Sequence, residues 1–301
     1  MAPAGPGHDE AIELSGRERS DAAMATKSSA FAHGDAFFAE CNIVGTFVDA
    51  SVRPVVQRAF DKSKPEHSTY LGALLRVTGW LRSLAKLNHP GDFQAIVAGS
   101  RALFEIAVDL TLLHHDPNAH SHEMLVAWEQ SAKLKFAEGI ERHYKAASKA
   151  VPVDHADAMT FATRERTHIH SQRLKYWPNA KNKPHHPDRW TGRSLPDDAH
   201  VADKVASYSF EEFYATRFSQ LCWNTHGSGL AGVRLVTEEH FPGVSALGFS
   251  ESARFSCIAG ELVLRLFGKH DAISEARFRK LASDRLQARA KVLVTYPPSL
   301  W

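Results

Sequence analysis

A chain of 301 residues with 36 Lys and Arg against 34 Asp and Glu, 44% of it hydrophobic and 23% charged, has the composition of an ordinary globular protein, which excludes a collagen-like, a disulfide-scaffold or a generally disordered chain. The formal charge of +2 is too small to imply nucleic acid by itself, so such a partner would have to be met by a local patch. The three cysteines, Cys41, Cys222 and Cys257, are far apart and odd in number, which fits a reducing compartment better than a disulfide framework or a CxxC metal site.

Residues 1–35 are rich in Ala, Gly, Ser and mixed charge, with no secretory apolar core, and read as a flexible cytoplasmic tail. From about residue 68 the apolar positions recur at helical spacing. Leu71, Leu74, Leu75, Leu81 and Leu84 form a stripe that must stop near Asn88-His89-Pro90-Gly91. The next helix, Asp92 to about His114, is apolar on nearly every face and ends at Asp116-Pro117; Glu105 and Asp109 interrupt it too often for a membrane span. Ser121 is placed to cap a long amphipathic helix reaching about Ser148, and another helix covers Asp154 to about Trp177.

Pro178 to Pro196 holds four prolines and the His185-His186 pair, and reads as a long loop of the kind that is often functional. Ser209-Phe210-Glu211-Glu212 has the spacing of a capping box and starts a helix that runs to Gly227. Ser250 is placed to cap a further apolar helix ending at Gly268, and the last helix, Ser274 to about Lys291, is basic. No linker divides these helices. The expected architecture is all-α: one helical bundle domain over 36–295, a long Pro/His-rich loop within it, and a C-terminal tail at 296–301.

Three constellations carry candidate chemistry. Arg101, Glu105 and Asp109 repeat every turn on the greasiest helix, and buried charges must either satisfy one another or face a pocket. Both alternatives stand. His226, beside Gly227, Ser228 and Gly229 at a helix end, suits proton transfer or phosphate contact, or simply satisfies the last helix carbonyls. The basic terminal helix could track phosphates, yet Glu275 and Asp284 among its cations suit a solvated face equally well. The 18 histidines show no HExxH or paired Cys/His spacing, so neither a metal nor another cofactor is expected.

The segments Ser100-Arg101-Ala102-Leu103-Phe104-Glu105-Ile106, Trp190-Thr191-Gly192-Arg193-Ser194 and Phe213-Tyr214-x-x-Arg217-Phe218-Ser219, leading into His226-Gly227-Ser228, resemble a bacterial family catalogued as domain of unknown function 5677, over about residues 65–235. That family is similar in helical character to the HEPN superfamily, which includes RNA-cleaving toxins and phage-defence effectors. The resemblance implies a metal-independent ribonuclease with a defence or stress role, RNA or a nucleotide as ligand, and a second copy of the chain as partner. His226 would move the proton, Arg101 would stabilise the phosphorane and Glu105 would orient the arginine, with Asp109, Ser228, Trp190, Arg217 and Tyr214 as binding residues. The Arg-x(4–6)-His spacing of HEPN nucleases recurs at Arg82–His89, Arg164–His170, Arg193–His200, Arg234–His240 and Arg265–His270, no more often than this many histidines produce by chance. The alternative is a non-enzymatic binding or dimerisation module in which Arg101 and Glu105 belong to a buried structural network.

Overall fold

The computed structural model describes residues 37–295 except 88, 90–91, 116–119, 179–180, 182, 220 and 223–240. The two tails, together with His226 and Ser228, lie outside the described residues. Everything described is helix or connection. There is no strand among these residues, and the nearest approach to one is a single antiparallel bridge between Pro178 and Pro184. None of the described helices is long and apolar enough to cross a membrane.

The first helix, α1, covers 37–59 and was not resolved by the sequence periodicity. Its ladder widens into a π-helical turn at Val48–Val52 before continuing as Arg53–Ala59. The cause is Pro54, which brings no N–H to the middle of the helix; the Arg53 N–H reaches back to the carbonyl of Val48 and the stripe Val44, Val48, Val52, Val56 stays buried. Helix α2, Pro65–Leu84, and α3, Phe93–His115, come next, at the positions their stripes predict. α3 is the centre of the bundle. Phe104 on it meets the rings of Phe210, Phe213, Phe218 and Phe255 at centroid distances of 4.8–5.9 Å.

Helices α4, Ser121–Ala146, and α5, Ala156–Tyr176, pair as a hairpin with a small core of its own, Leu134, Ala137, Ala162 and Ile169. Ser121 does not cap α4; His120 holds the N-cap position and Ser121 lies inside the helix, buried. The expected loop over 178–196 is shorter than its prolines suggest, because Leu195–Ala206 forms α6 with Ser194 as N-cap, its hydroxyl accepting from the Asp197 N–H, and Pro196 in the first turn.

Helix α7 starts at Phe210–Phe213 and passes through a second π-helical turn, Tyr214–Phe218. The capping box is not formed. Ser209 adopts a left-handed φ of 57°, and the Asp203 carboxylate caps the helix instead, accepting from Phe210 N–H at 2.9 Å and Glu211 N–H at 2.8 Å. Helix α8, Phe241–Leu266, packs along α3 closely enough that a Cβ on Gly248 would stand 2.8 Å from Ile96. Ser250 is therefore mid-helix and buried, not a cap. Gly268, at φ 63°, ends α8 as expected, and α9 is Ala272–Thr295. On α9, Arg279 and Lys280 pair with Glu275 and Asp284 one turn away, while Arg285 turns inward to Glu40 of α1 at 2.5 Å.

Candidate functional site

The functional candidates gather where α2, α3 and α4 meet the chain between α5 and α6. Asp109 on α3 presents one oxygen, Oδ1, to two donors from that connection: Arg189 Nη2 at 2.5 Å and the indole N–H of Trp190 at 2.7 Å. Arg189 also donates through Nε to Asp198 on α6, at 2.6 Å. Asp198 is fully buried and takes two further bonds, from Arg193 Nε at 2.8 Å and from the Thr191 hydroxyl at 2.8 Å. Lying in the first turn of α6, its negative charge also meets the positive end of that helix.

Every residue of Arg189-Trp190-Thr191-Gly192-Arg193 has a task in this turn. Trp190 is 3% exposed and its carbonyl accepts from the Trp177 indole at 2.9 Å. Gly192 holds a φ of 75°, and a Cβ there would stand 3.1 Å from Trp177. The result is a closed network of two carboxylates and two guanidiniums, Asp109, Asp198, Arg189 and Arg193, with no net charge. Burial pushes the Asp109 carboxyl up to about 6; Arg189 and Trp190 pull it down, and Asp198 and Glu105 push it further up.

Above this network lies a cavity of about 680 Å³. Asp109, Glu105, Arg189 and Trp190 line one side, and Leu75, Ile106, Leu125, Val126 and Trp128 supply apolar wall. The volume falls in the range of small-molecule sites. Its far wall is fixed by the same connection: Trp128 donates to the Pro187 carbonyl at 2.9 Å, and His186 stacks on Trp128 at 5.8 Å while its Nδ1 lies 2.8 Å from the Ser131 hydroxyl. That hydroxyl also accepts from Arg173 Nε at 2.6 Å, and the direction of its bond to His186 follows the tautomer of the ring. Burial, with Lys135 and Arg173 nearby, pulls the His186 pKa down to about 4, which keeps the ring neutral.

The residues named from sequence thus separate into groups. Glu105, Asp109 and Trp190 come together at the cavity. Arg101, Tyr214 and Arg217 surround Phe218 instead: the Arg101 guanidinium lies 5.0 Å from that ring, Tyr214 stacks on it at 4.9 Å, and Arg217 donates to the buried Glu251, which also receives Arg254 at 3.0 Å. His226 and Ser228 fall outside the described residues. The sequence reading missed Arg189, Asp198 and Ser131, and named His186 only as part of the Pro/His-rich loop. The cue for Asp198 was its place two residues after Pro196, where Ser194 and that proline spell a helix start.

Fold and site together define an all-helical protein with a cavity floored by an internally neutralised Asp–Arg network. Residues 73–241 match the model of a family of unknown function (DUF5677), and the chain belongs to that family. No curated protein and no solved structure shows significant similarity to it.

Proposed function

We propose that this protein is a binding module whose ligand enters the cavity between α2, α3 and α4, and that the Asp109–Arg189–Asp198–Arg193 network is its structural floor. The observation that carries this reading is that the network is already complete. A nuclease site needs an arginine presented to phosphate, and Arg101, named for that role, lies over Phe218, while Arg217, named for binding, is held on Glu251. A cavity of about 680 Å³ with mixed apolar and polar walls instead suits a small molecule.

The HEPN-like ribonuclease with a defence or stress role is the competing reading, and it turns on His226. Expressing the wild type and His226→Ala in bacteria and comparing growth and total RNA integrity separates the two. Equal growth and intact RNA for both chains supports the binding module. RNA breakdown by the wild type alone overturns it in favour of metal-independent cleavage with imidazole as proton carrier.

A further inference from the structure

Two further polar clusters lie away from the cavity, and both are taken up by packing. Glu40 and Arg285 join α1 to α9, with Cys257 beside them, and burial pushes the thiols of Cys41 and Cys257 far up, to about 12 and about 11, leaving them inert. Glu251 ties Arg217 to Arg254. The cavity itself carries an asymmetry that neither cluster has.

Among the described residues its charged lining comprises four acids, Glu105, Asp109, Glu129 and Asp188, and two bases, Arg76 and Arg189. Arg189 is neutralised from both ends by Asp109 and Asp198. Among the described lining residues Glu105, Glu129 and Asp188 then outnumber Arg76, so the lining is negative overall, with Glu105 also within the field of Arg189. Glu105 is half-buried, one turn from Asp109, and among the described residues no hydrogen bond or ion pair holds its carboxylate. The Asp109 carboxylate keeps 28% of its side-chain surface exposed where it lines the same space. A carboxylate that no hydrogen bond or close ion pair holds among the described residues, beside apolar walls and the indole of Trp128, complements a cation with a hydrocarbon body and repels phosphate.

Resting on the binding-module reading, we propose that the cavity takes a small organic cation, an ammonium or guanidinium group on an apolar body, with Glu105 receiving the charge beside Asp109 and with Leu75, Val126 and Trp128 covering the hydrocarbon. The specificity this predicts is against anions as much as for cations, because Arg189 is committed and, among the described lining residues, only Arg76 at the exposed rim remains to greet a negative group.

Three probes of nearly one shape test it by NMR titration of the full chain at neutral pH: phenethylamine, 2-phenylethanol and 3-phenylpropionate. Phenethylamine is expected to bind about tenfold more tightly than the alcohol, the worth of one charge-assisted hydrogen bond, and the propionate more weakly than either. In Glu105→Gln the ammonium should lose that advantage while the alcohol's affinity stays within about twofold. Equal affinity of amine and alcohol, or tightest binding of the propionate, overturns the cation while leaving the cavity a binding site. Binding of none of the three overturns both. Because the comparison among probes is made on the wild type, it does not depend on how the variant folds.

Discussion

Replacing Asp198 by Asn keeps the shape of the side chain and removes its charge, and the cost can be worked from its partners. Both carboxylate oxygens face donors: Oδ2 accepts from Arg189 Nε and the Thr191 hydroxyl, and Oδ1 accepts from Arg193 Nε. Either orientation of the amide therefore points an NH₂ at a donor, which forfeits at least one buried bond at about 1–3 kcal/mol. Arg189, with only 12% of its side chain exposed, is left with Asp109 as its remaining charged partner. Breaking a buried ion pair from one side costs about 3–5 kcal/mol, and because these losses share atoms they are not added together. For a chain of this size each kcal/mol moves the melting temperature by about 2 °C, so Asp198→Asn should melt about 6–10 °C below the wild type, measured by circular dichroism. Arg193→Ala is the internal control. Its own side chain is 42% exposed, but its loss leaves Oδ1 of the buried Asp198 without a donor, so it should cost about 1–3 kcal/mol, less than Asp198→Asn. If Asp198→Asn melted within about 2 °C of the wild type, or no lower than Arg193→Ala, the network would have to be solvated and the account of the floor would fail.

Two groups give the stability opposite slopes in one pH window. The folded state holds the Asp109 pKa at about 6, above its unfolded value near 3.8, so it favours the protonated acid; the stability this confers is full below the unfolded value and is lost as pH rises through about 6. His186, at about 4 when folded against 6.5 unfolded, favours the neutral base; that stability is present above 6.5 and is lost as pH falls toward about 4. Between about 4 and 6.5 the two offset each other, so Asp109→Asn should steepen the loss of stability on acidification and His186→Phe should reverse or flatten it; urea melts at several pH values would show parallel slopes for all three chains if the reasoning is wrong. Gly192→Ala should cost about 1–3 kcal/mol, since the residue sits at φ 75° with Trp177 against the new Cβ, and an unchanged denaturation midpoint would show that the turn has room to shift.

The helices that declared themselves in the sequence are those buried through large side chains. Leu74, Leu81 and Leu84 on α2 and the apolar positions of α3 mark a face that any other arrangement would leave in water. Helix α6 is buried through Ala199 and Ala202, which carry little hydropathic signal, and its one proline, Pro196, reads as part of a loop although it stands in the first turn. The false capping box at Ser209 has a different cause. Whether a serine caps depends on its own backbone, and a left-handed φ there hands the task to Asp203, whose distance from Phe210 no local pattern encodes. At the site, the placing of Glu105 and Asp109 on one stripe was legible from helical spacing alone. Their meeting with Trp190 was not, because it depends on how a connection more than 80 residues away lies across α3.

That separation has a consequence for the order in which the molecule assembles. The bonds from Arg189, Thr191 and Arg193 to Asp198 close loops of nine, seven and five residues, whereas the bonds to Asp109 span 80 and 81. Chain-closure entropy grows with the length enclosed, so the turn can take shape on its own well before it finds α3. The floor of the cavity is complete only once that docking has joined the turn to Asp109. A substitution inside the turn should slow the approach to the native state, and one at Asp109 should instead hasten escape from it.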